Sequence, residues 1–247
     1  MIILFLVGAI TGSFLNVVIY RLPRKESLAA PGSHCPRCKE PVKWYDNIPI
    51  VSYMVLQGQC RNCGQPITPR YPTVETLTGA LWVVAGIQFG MDWPLLPALL
   101  LISVLIAIFY IDLDHYIIPN VIVLPAAVIG LAANVAISPG DWWVYVVAGL
   151  GAGIFFLAVA LLYPGGSGMG FGDVKLACML GFFLGGAILP GLFLSFAIGA
   201  FSGIFLLLTG QKGRKSRIPF GPFMAIGSII ALFYGDRLLE LWLGLAQ

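Results

Sequence analysis

Long uncharged apolar runs limit how this chain can fold more than any other feature of its sequence. They contain no Asp, Glu, Lys or Arg and cover Met1–Tyr20, Trp93–Ile111, Tyr116–Gly140, Trp142–Gly172, Leu176–Gln211 and Ile218–Gly235. A helix that crosses a bilayer needs roughly 20 apolar residues, so each run can supply at least one crossing. Only 10% of the residues are charged, whereas about a quarter are charged in an average soluble domain. The sequence therefore predicts a polytopic membrane protein.

Two details set the expected number of crossings. Leu176–Gln211 is long enough for two helices, and Gly185-Gly186 together with Pro190-Gly191 can supply the turn between them. Thr76–Met91 is shorter, but it can form another crossing when its flanking aromatic and small residues are added. We expect an all-α polytopic membrane protein with about eight transmembrane helices.

The basic residues predict the orientation of these helices. The first run lacks a basic segment before it and is followed by Arg21, Arg24 and Lys25, which favours an uncleaved first helix with its N-terminus outside. With eight crossings, four segments then face the cytoplasm: 21–70, 112–119, 164–175 and 211–218. They carry every Lys and Arg of the chain except Arg237, as the excess of positive charge on the inner side requires.

Polarity divides the chain into three parts. Residues 1–20 form the first transmembrane helix, 21–70 a polar cytoplasmic segment, and 71–247 a multi-helix membrane domain. The positive charge of the 21–70 segment suits a loop that contacts anionic lipid headgroups. Its basic residues are scattered and no recognition pattern accompanies them, so we expect no nucleic-acid partner.

The 21–70 segment contains a predicted metal site. Cys35 and Cys38 form one C-x₂-C pair, and Cys60 and Cys63 form a second. Two such pairs are a strong signal for zinc. Four thiolates complete a tetrahedral Zn²⁺ site without an open position, so its role should be structural. A reducing cytoplasm disfavours disulfides between these cysteines.

Asp112 and Asp173 each lie at the end of a long uncharged run. Acids this close to hydrocarbon are costly and are candidates for function. The predicted topology ends the third helix near Asp112 and begins the sixth near Asp173, so both carboxylates lie on the cytoplasmic side. Two adjacent carboxylates that share one proton can hydrolyse a peptide bond. The spacing alone does not distinguish Asp112 from Asp114, and Asp173 could instead be an ordinary helix N-cap.

The chain around both acids favours the approach of an extended substrate. The segment 164–172 is too rich in glycine for a stable helix and would leave an open backbone beside Asp173. Pro119 should end or interrupt regular helix just after Asp112.

These motifs resemble those of a known family. Gly170-Phe171-Gly172-Asp173 matches the GxGD signature of membrane aspartyl proteases, and the segment 111–119 resembles the first-aspartate motif of bacterial type IV prepilin peptidases. In that family the first Asp of the D-x-D pair is catalytic, which corresponds to Asp112. The family often has Pro-Asp where this chain has Pro119-Asn120. Further similar segments are 12–18, 21–23, 35–63, 47–53, 70–75 and 218–222.

The resemblance implies a function. Similar proteins lie in the bacterial cytoplasmic (inner) membrane and cleave the basic leader of type IV prepilins and pseudopilins, including those of type II secretion. They cut on the cytoplasmic side, after a glycine at the edge of the substrate's hydrophobic helix. Many members with the cysteine loop also N-methylate the new N-terminus with S-adenosylmethionine. The resemblance thus implies catalytic Asp112 and Asp173 and a second, methyltransferase activity, but it makes no prediction of donor-binding residues or oligomeric state.

Two other functions remain as alternatives. A proton-coupled transporter could also contain intramembrane acids, but it would place them near the middle of the bilayer and often shows inverted repeats. A non-catalytic, zinc-stabilised membrane assembly protein would tolerate replacement of both Asp112 and Asp173. Cleavage of a prepilin-like peptide by the purified protein, compared with the Asp112→Asn and Asp173→Asn variants, separates these alternatives from the peptidase.

Overall fold

The computed structural model describes residues 1–162, 170–210 and 218–244. Its α-helices are α1 (Ile2–Arg21), α2 (Val51–Val55), α3 (Arg70–Phe89), α4 (Leu95–His115), α5 (Asn120–Ile137), α6 (Trp142–Leu162), α7 (Phe171–Leu184), α8 (Ile188–Leu208) and α9 (Gly221–Leu243). Short 3₁₀ helices span Leu22–Arg24, Trp44–Asn47 and Gly185–Ala187. The β-pairing found in this described part consists of isolated bridges. The all-α class is confirmed.

Six segments of the described chain are long and apolar enough to cross a membrane. They correspond to α1 with its 3₁₀ extension, α4, α5, α6, α9, and one continuous stretch, Phe171–Leu208, that contains both α7 and α8. The multi-pass membrane class is thus supported by length and composition. α3 is a 20-residue helix, but it is not one of the six, so the total of eight crossings stays a prediction.

The expected helix boundaries are largely correct. α4 ends at His115, and Pro119 precedes the first residue of α5 in an extended conformation. Gly185 begins the break between α7 and α8 with φ +54°, a conformation that favours glycine. The expected contribution of Pro190-Gly191 to that turn is wrong, because both residues lie inside α8. Proline is tolerated there because the first turn of a helix has no intrahelical partner for its amide.

Residues Met1–Met91 form one compact unit. In it α1 and α3 run antiparallel and approach closely at small residues, because a Cβ on Gly8 would lie 2.8 Å from Gly79 Cα and one on Gly12 would lie 2.7 Å from Glu75 Cα. Small residues of this kind let membrane helices approach to backbone contact. α1, the cysteine segment and α3 therefore belong to one compact unit. The division of the sequence at residues 20 and 70, which was based on polarity, stays a prediction.

Residues Asp92–Gln247 form the second compact unit. Its centre is filled by side chains with no exposed surface: Leu105, Phe156, Met179, Leu180 and Met224. Glycines again permit close helix contacts, since a Cβ on Gly181 of α7 would lie 2.5 Å from Gly149 Cα of α6. α9 packs against both α4 and α8. This packing brings the end of α4, the start of α7 and the start of α9 to the same end of the unit.

Candidate active site and metal site

Asp112 lies in the last turn of α4. Its side chain is buried, with 5% of its surface exposed, and its Oδ2 accepts a hydrogen bond from the Gly221 N–H at 3.0 Å. The helix ends three residues later, where Tyr116 takes a left-handed conformation with φ 57° and its N–H donates to the Asp112 carbonyl oxygen. Asp114, by contrast, is exposed. The fold thus places the two acids of the D-x-D pair in different environments.

Gly221 is the first residue of α9, and sequence reasoning did not predict its contact with Asp112. A Cβ at this position would lie 2.6 Å from Asp112 Oδ2 and 3.1 Å from Asp112 Cγ. No real Cβ sits that close to a carboxylate, so the contact requires glycine. The available sequence signal was the segment 218–222, a family-like motif that places Gly221 directly before a proline. Its structural reason lies in the tertiary contact.

Asp173 lies in the first turn of α7 and is half-buried. Its Oδ2 accepts a hydrogen bond from the Gly170 N–H at 3.1 Å. Gly170 is itself the N-cap residue, in an extended conformation with φ −82° and ψ 148°. The alternative interpretation of Asp173 as the N-cap residue is therefore wrong, because Asp173 lies three residues after the N-cap. The carboxylate instead closes back onto the N-cap amide, as acidic side chains at the third helical position commonly do.

Asp112 and Asp173 lie near enough for an electrostatic interaction between their carboxylates. The loop after α4 packs directly on the GxGD segment, because a Cβ on Gly172 would lie 3.0 Å from Ile118 Cβ. Lys175 Nζ donates to Asn120 Oδ1 at 2.9 Å and joins α7 to the start of α5. The structure therefore brings both acids to one end of the unit. Residues 164–169 of the predicted glycine-rich segment lie outside the described residues.

The four predicted cysteine ligands form one cluster. The Sγ atoms of Cys35, Cys38, Cys60 and Cys63 all lie within 4.8 Å of one another, and Cys35 Sγ is 3.9 Å from Cys63 Sγ. A tetrahedral zinc ion with Zn–S bonds of about 2.3 Å needs sulfur atoms roughly 3.8 Å apart. The four thiols therefore fit a single tetrahedral ion after small adjustments.

Two similar turns present the cysteine pairs. In the first, the Cys35 N–H donates to the Glu40 carbonyl at 3.0 Å and the Lys39 N–H to the Cys35 carbonyl at 2.9 Å. The second repeats this pattern, with Cys60 N–H to Gln65 at 2.8 Å and Gly64 N–H to Cys60 at 2.9 Å. Lys39 and Gly64 occupy equivalent positions with φ of 60° and 66°. The cysteine segment thus contains a local repeat that the sequence analysis did not identify.

The same turns favour the thiolate form, which binds metal, at Cys38 and Cys60. At Cys63 the backbone hydrogen bond at Gln65 lowers the pKa of the thiol, but desolvation and hydrogen bonds with the other cysteines outweigh it and raise the pKa to about 11. Hydrogen bonds from the backbone amides of Cys63 and Asn62 lower the pKa of the Cys60 thiol to about 7. The Glu40 backbone amide lowers the pKa of the Cys38 thiol in the same way. Thiolates, rather than thiols, are metal ligands. His34 is not needed as a ligand, and its Nδ1 lies 3.0 Å from the Gly32 carbonyl oxygen instead.

Comparison with known proteins identifies the family. A model described as the type IV leader peptidase family matches residues 99–208, and one described as the bacterial peptidase A24 N-terminal domain matches residues 6–89. A Bacillus subtilis protein named prepilin leader peptidase/N-methyltransferase is 40% identical over 99% of this chain and 98% of its own length. The chain belongs to the type IV leader peptidase family.

Other members of the type IV leader peptidase family are also similar to this chain over nearly its whole length. Proteins with the same printed name from Aeromonas hydrophila and Pseudomonas aeruginosa are 39% and 37% identical, each over 98% of this chain and over 93% and 92% of their own lengths. No solved structure matches the chain significantly. The family resemblance drawn from the sequence is confirmed. Both acids lie within the matched leader peptidase segment, and all four clustered cysteines lie within the matched N-terminal segment.

Proposed function

We propose that this chain is a membrane-embedded aspartic endopeptidase that cleaves the leader of type IV prepilins or pseudopilins, with Asp112 and Asp173 as its catalytic pair. The observation that supports the proposal is the packing of the loop that follows Asp112 on the segment that contains Asp173, with the two carboxylates near enough to interact electrostatically. The related proteins are named prepilin leader peptidases, which supplies the class of substrate. Family membership does not favour a transporter or a non-catalytic assembly protein.

The chemistry follows from two carboxylates that share one proton. The ionised carboxylate takes a proton from water as the water oxygen bonds to the scissile carbonyl carbon. The protonated carboxylate donates its proton to the carbonyl oxygen, which forms a tetrahedral intermediate. Collapse of that intermediate breaks the C–N bond, and the leaving amine takes a proton from the pair. Such sharing suits neighbouring carboxylates in general, because two close acids cannot both ionise readily.

Burial favours Asp112 over Asp114 as the first catalytic acid. Asp112 is enclosed and held by the Gly221 N–H, whereas Asp114 is exposed. A catalytic carboxylate needs a fixed orientation relative to the scissile bond. The hydrogen bond from Gly221 supplies such an orientation for Asp112.

We place the protein in the bacterial inner membrane with its N-terminus outside. The support is the distribution of Lys and Arg, which concentrates positive charge in the segments between residues 21 and 70 and between 211 and 218. The basic residues of 211–217 lie outside the described residues. In this orientation both acids and the cysteine cluster face the cytoplasm, where the substrate's basic leader is found before cleavage.

The cysteine cluster is proposed to hold one structural Zn²⁺. Four thiolates leave no open coordination position for a reacting molecule. The ion would connect the turn at Cys35–Cys38 with the turn at Cys60–Cys63, and so fix the fold of a segment with few helical residues. Its contribution is therefore to stability rather than to peptide hydrolysis.

We also propose that the chain N-methylates the new N-terminus of its product. The support is the second half of the name printed for its full-length relatives, which is N-methyltransferase. S-adenosylmethionine would supply the methyl group. Labelled S-adenosylmethionine and a peptide that is already cleaved test this activity separately from proteolysis, and a product without label would reject it.

The peptidase is tested with purified protein and a prepilin-like peptide. Asp112→Asn and Asp173→Asn should each lower the cleavage rate by ~10²–10⁴-fold, because each removes a proton-transfer group. Asp114→Asn is the matched control and should retain most of the activity. Retained cleavage in either of the first two variants would reject the catalytic pair, and a failure of the wild-type protein to cleave would reject the function.

A further inference from the structure

The segment 44–56, between the two cysteine pairs, presents an unusual surface. It begins with the 3₁₀ helix Trp44–Asn47 and ends just after α2, and no Asp, Glu, Lys or Arg occurs from residue 47 to residue 60. Its largest apolar side chains are exposed: Trp44 by 81%, Ile48 by 43%, Val51 by 48%, Met54 by 62% and Val55 by 69%. Contiguous exposed apolar surface of this kind marks an interaction site.

Two polar side chains of the segment 44–56, Ser52 and Tyr53, are turned inward. Ser52 is buried, and its Oγ donates to the Tyr45 carbonyl at 2.9 Å and accepts from the Ile48 N–H at 3.0 Å. Tyr53 also faces the protein, with its hydroxyl group 3.4 Å from the Ile67 carbonyl oxygen. The outward face from Ile48 to Val55 is consequently apolar, with the exposed Asn47 at its edge.

A buried acid ties the segment to the long helices. Glu75, in the second turn of α3, has 6% of its surface exposed, and its Oε2 accepts the Ile50 N–H at 2.7 Å. Ile50 has φ +64°, a costly conformation for a β-branched residue that persists only where the surroundings hold it. The proposed catalytic chemistry gives Glu75 no role, so this contact needs another explanation.

The hydrogen bond between Ile50 and Glu75 also determines the level of the segment 44–56 along the membrane helices. Gly12 of α1 packs against Glu75, and Asn16 Nδ2 donates to the Tyr71 carbonyl at 3.1 Å, so the levels of the two helices correspond. α1 is a candidate membrane span whose first charged residue is Arg21. Gly12 lies about 13 Å along the helix from Arg21, at 1.5 Å per residue. The Glu75 side chain points back toward the start of α3, which lies beside the Arg21 end of α1. Ile50 therefore lies between the level of Gly12 and the level of Arg21, on the apolar side of Arg21.

We propose that the segment 44–56 is inserted into the lipid leaflet next to the cysteine cluster, and that Glu75 holds it there. Val51, Met54 and Val55 then lie among the acyl chains, at a depth of roughly 5–10 Å that is typical of interfacial segments. Trp44 lies at the headgroups, where tryptophan is enriched. Lys43 lies within 5.7 Å of the Tyr45 ring and contributes positive charge at the same level, which attracts anionic headgroups, whereas the charge of Arg61 is balanced by its ion pair with Asp46. The occupant of this surface is lipid, and the inference stands apart from the peptidase function.

Photochemical crosslinking in vesicles tests the contact with lipid. The photoreactive residue p-benzoylphenylalanine is placed at Met54 or Val55, and the full-length protein is reconstituted in phosphatidylethanolamine and phosphatidylglycerol without any peptide. Arg37 is the control, because it is exposed but lies between the first two cysteines. We expect a mass increase of one phospholipid at positions 54 and 55, and several-fold less at 37. Equal adduct at all three positions, or crosslinks to protein in place of lipid, would overturn the proposal.

A pair of substitutions tests the role of Glu75. Glu75→Gln keeps an oxygen acceptor for the Ile50 N–H, whereas Glu75→Ala removes it. The lipid adduct at Met54 should be retained in Glu75→Gln and fall several-fold in Glu75→Ala. The thermal melting of both variants in detergent identifies any global unfolding. A folded Glu75→Ala variant with an unchanged adduct yield would refute the tether.

Discussion

The backbone N–H of Gly221 holds the carboxylate of Asp112 at 3.0 Å across 109 residues of sequence. The donor belongs to the first residue of a helix, where amides have no intrahelical partner and the helix dipole favours a negative group. Its side chain is a hydrogen atom, and any larger group would meet the acid it orients. The orientation of Asp112 thus depends on the absence of a side chain at residue 221.

Gly221→Ala should therefore damage catalysis more than folding. The added Cβ would lie 2.6 Å from Asp112 Oδ2 and displace the carboxylate, and a displacement of about 1 Å in a catalytic group can cost ~10²-fold in rate. We expect kcat for prepilin cleavage to fall while KM changes little. Gly151→Ala is the matched control, since a Cβ at that helical glycine meets nothing within 4 Å. Equal rates for the two variants would show that Asp112 does not depend on this contact.

Removal of one thiol should empty the metal site. Cys60→Ser leaves three of the four clustered ligands, and structural zinc contributes directly to folding. Metal analysis should show loss of the bound ion, together with a lower melting temperature and faster proteolysis within residues 21–70. Cys178→Ser is the control, because Cys178 lies in α7, outside the cluster. A Cys60→Ser protein that keeps a full equivalent of zinc would exclude the predicted ligand set.

Asn134→Leu should destabilise the second unit. Asn134 of α5 is buried, and its Nδ2 donates to the carbonyl oxygens of Phe182 at 2.9 Å and Phe183 at 3.1 Å, near the end of α7. Leucine has a similar size but leaves these two acceptors without their donor, at a cost of about 1–3 kcal/mol. Thermal unfolding in detergent measures the change. An unaltered melting temperature would mean that the carbonyl groups find other donors.

Gly12→Ala should weaken the packing of α1 on α3. Its new methyl group would lie 2.7 Å from Glu75 Cα, and overpacking of this kind costs about 1–3 kcal/mol. Gly32→Ala serves as the comparison in the same unit, because a Cβ there meets nothing within 4 Å. Urea or thermal unfolding of the two variants should differ clearly. If they unfold alike, the close approach of the two helices contributes little to stability.

The sequence predicts well those features that depend on neighbouring residues. The apolar runs predict the long helices, and the two C-x₂-C pairs predict the cluster, because spacing along the chain determines both. The choice between Asp112 and Asp114 depends on which face of α4 meets α9, a property of packing that spacing does not encode. The contact between Gly221 and Asp112 was not predicted for the same reason. The turn expected at Pro190-Gly191 was misplaced because proline also suits the first turn of α8.

The antiparallel pairing of α1 and α3 has a further consequence for the segment that joins them. Because Asn16 lies beside Tyr71, the chain leaves this helix pair and returns to it at neighbouring points. A connecting segment whose two ends lie close together can be lengthened or shortened without moving the helices that flank it. The cysteine segment can therefore differ in length without a change in the path of the flanking helices, provided that the contact between Ile50 and Glu75 is kept.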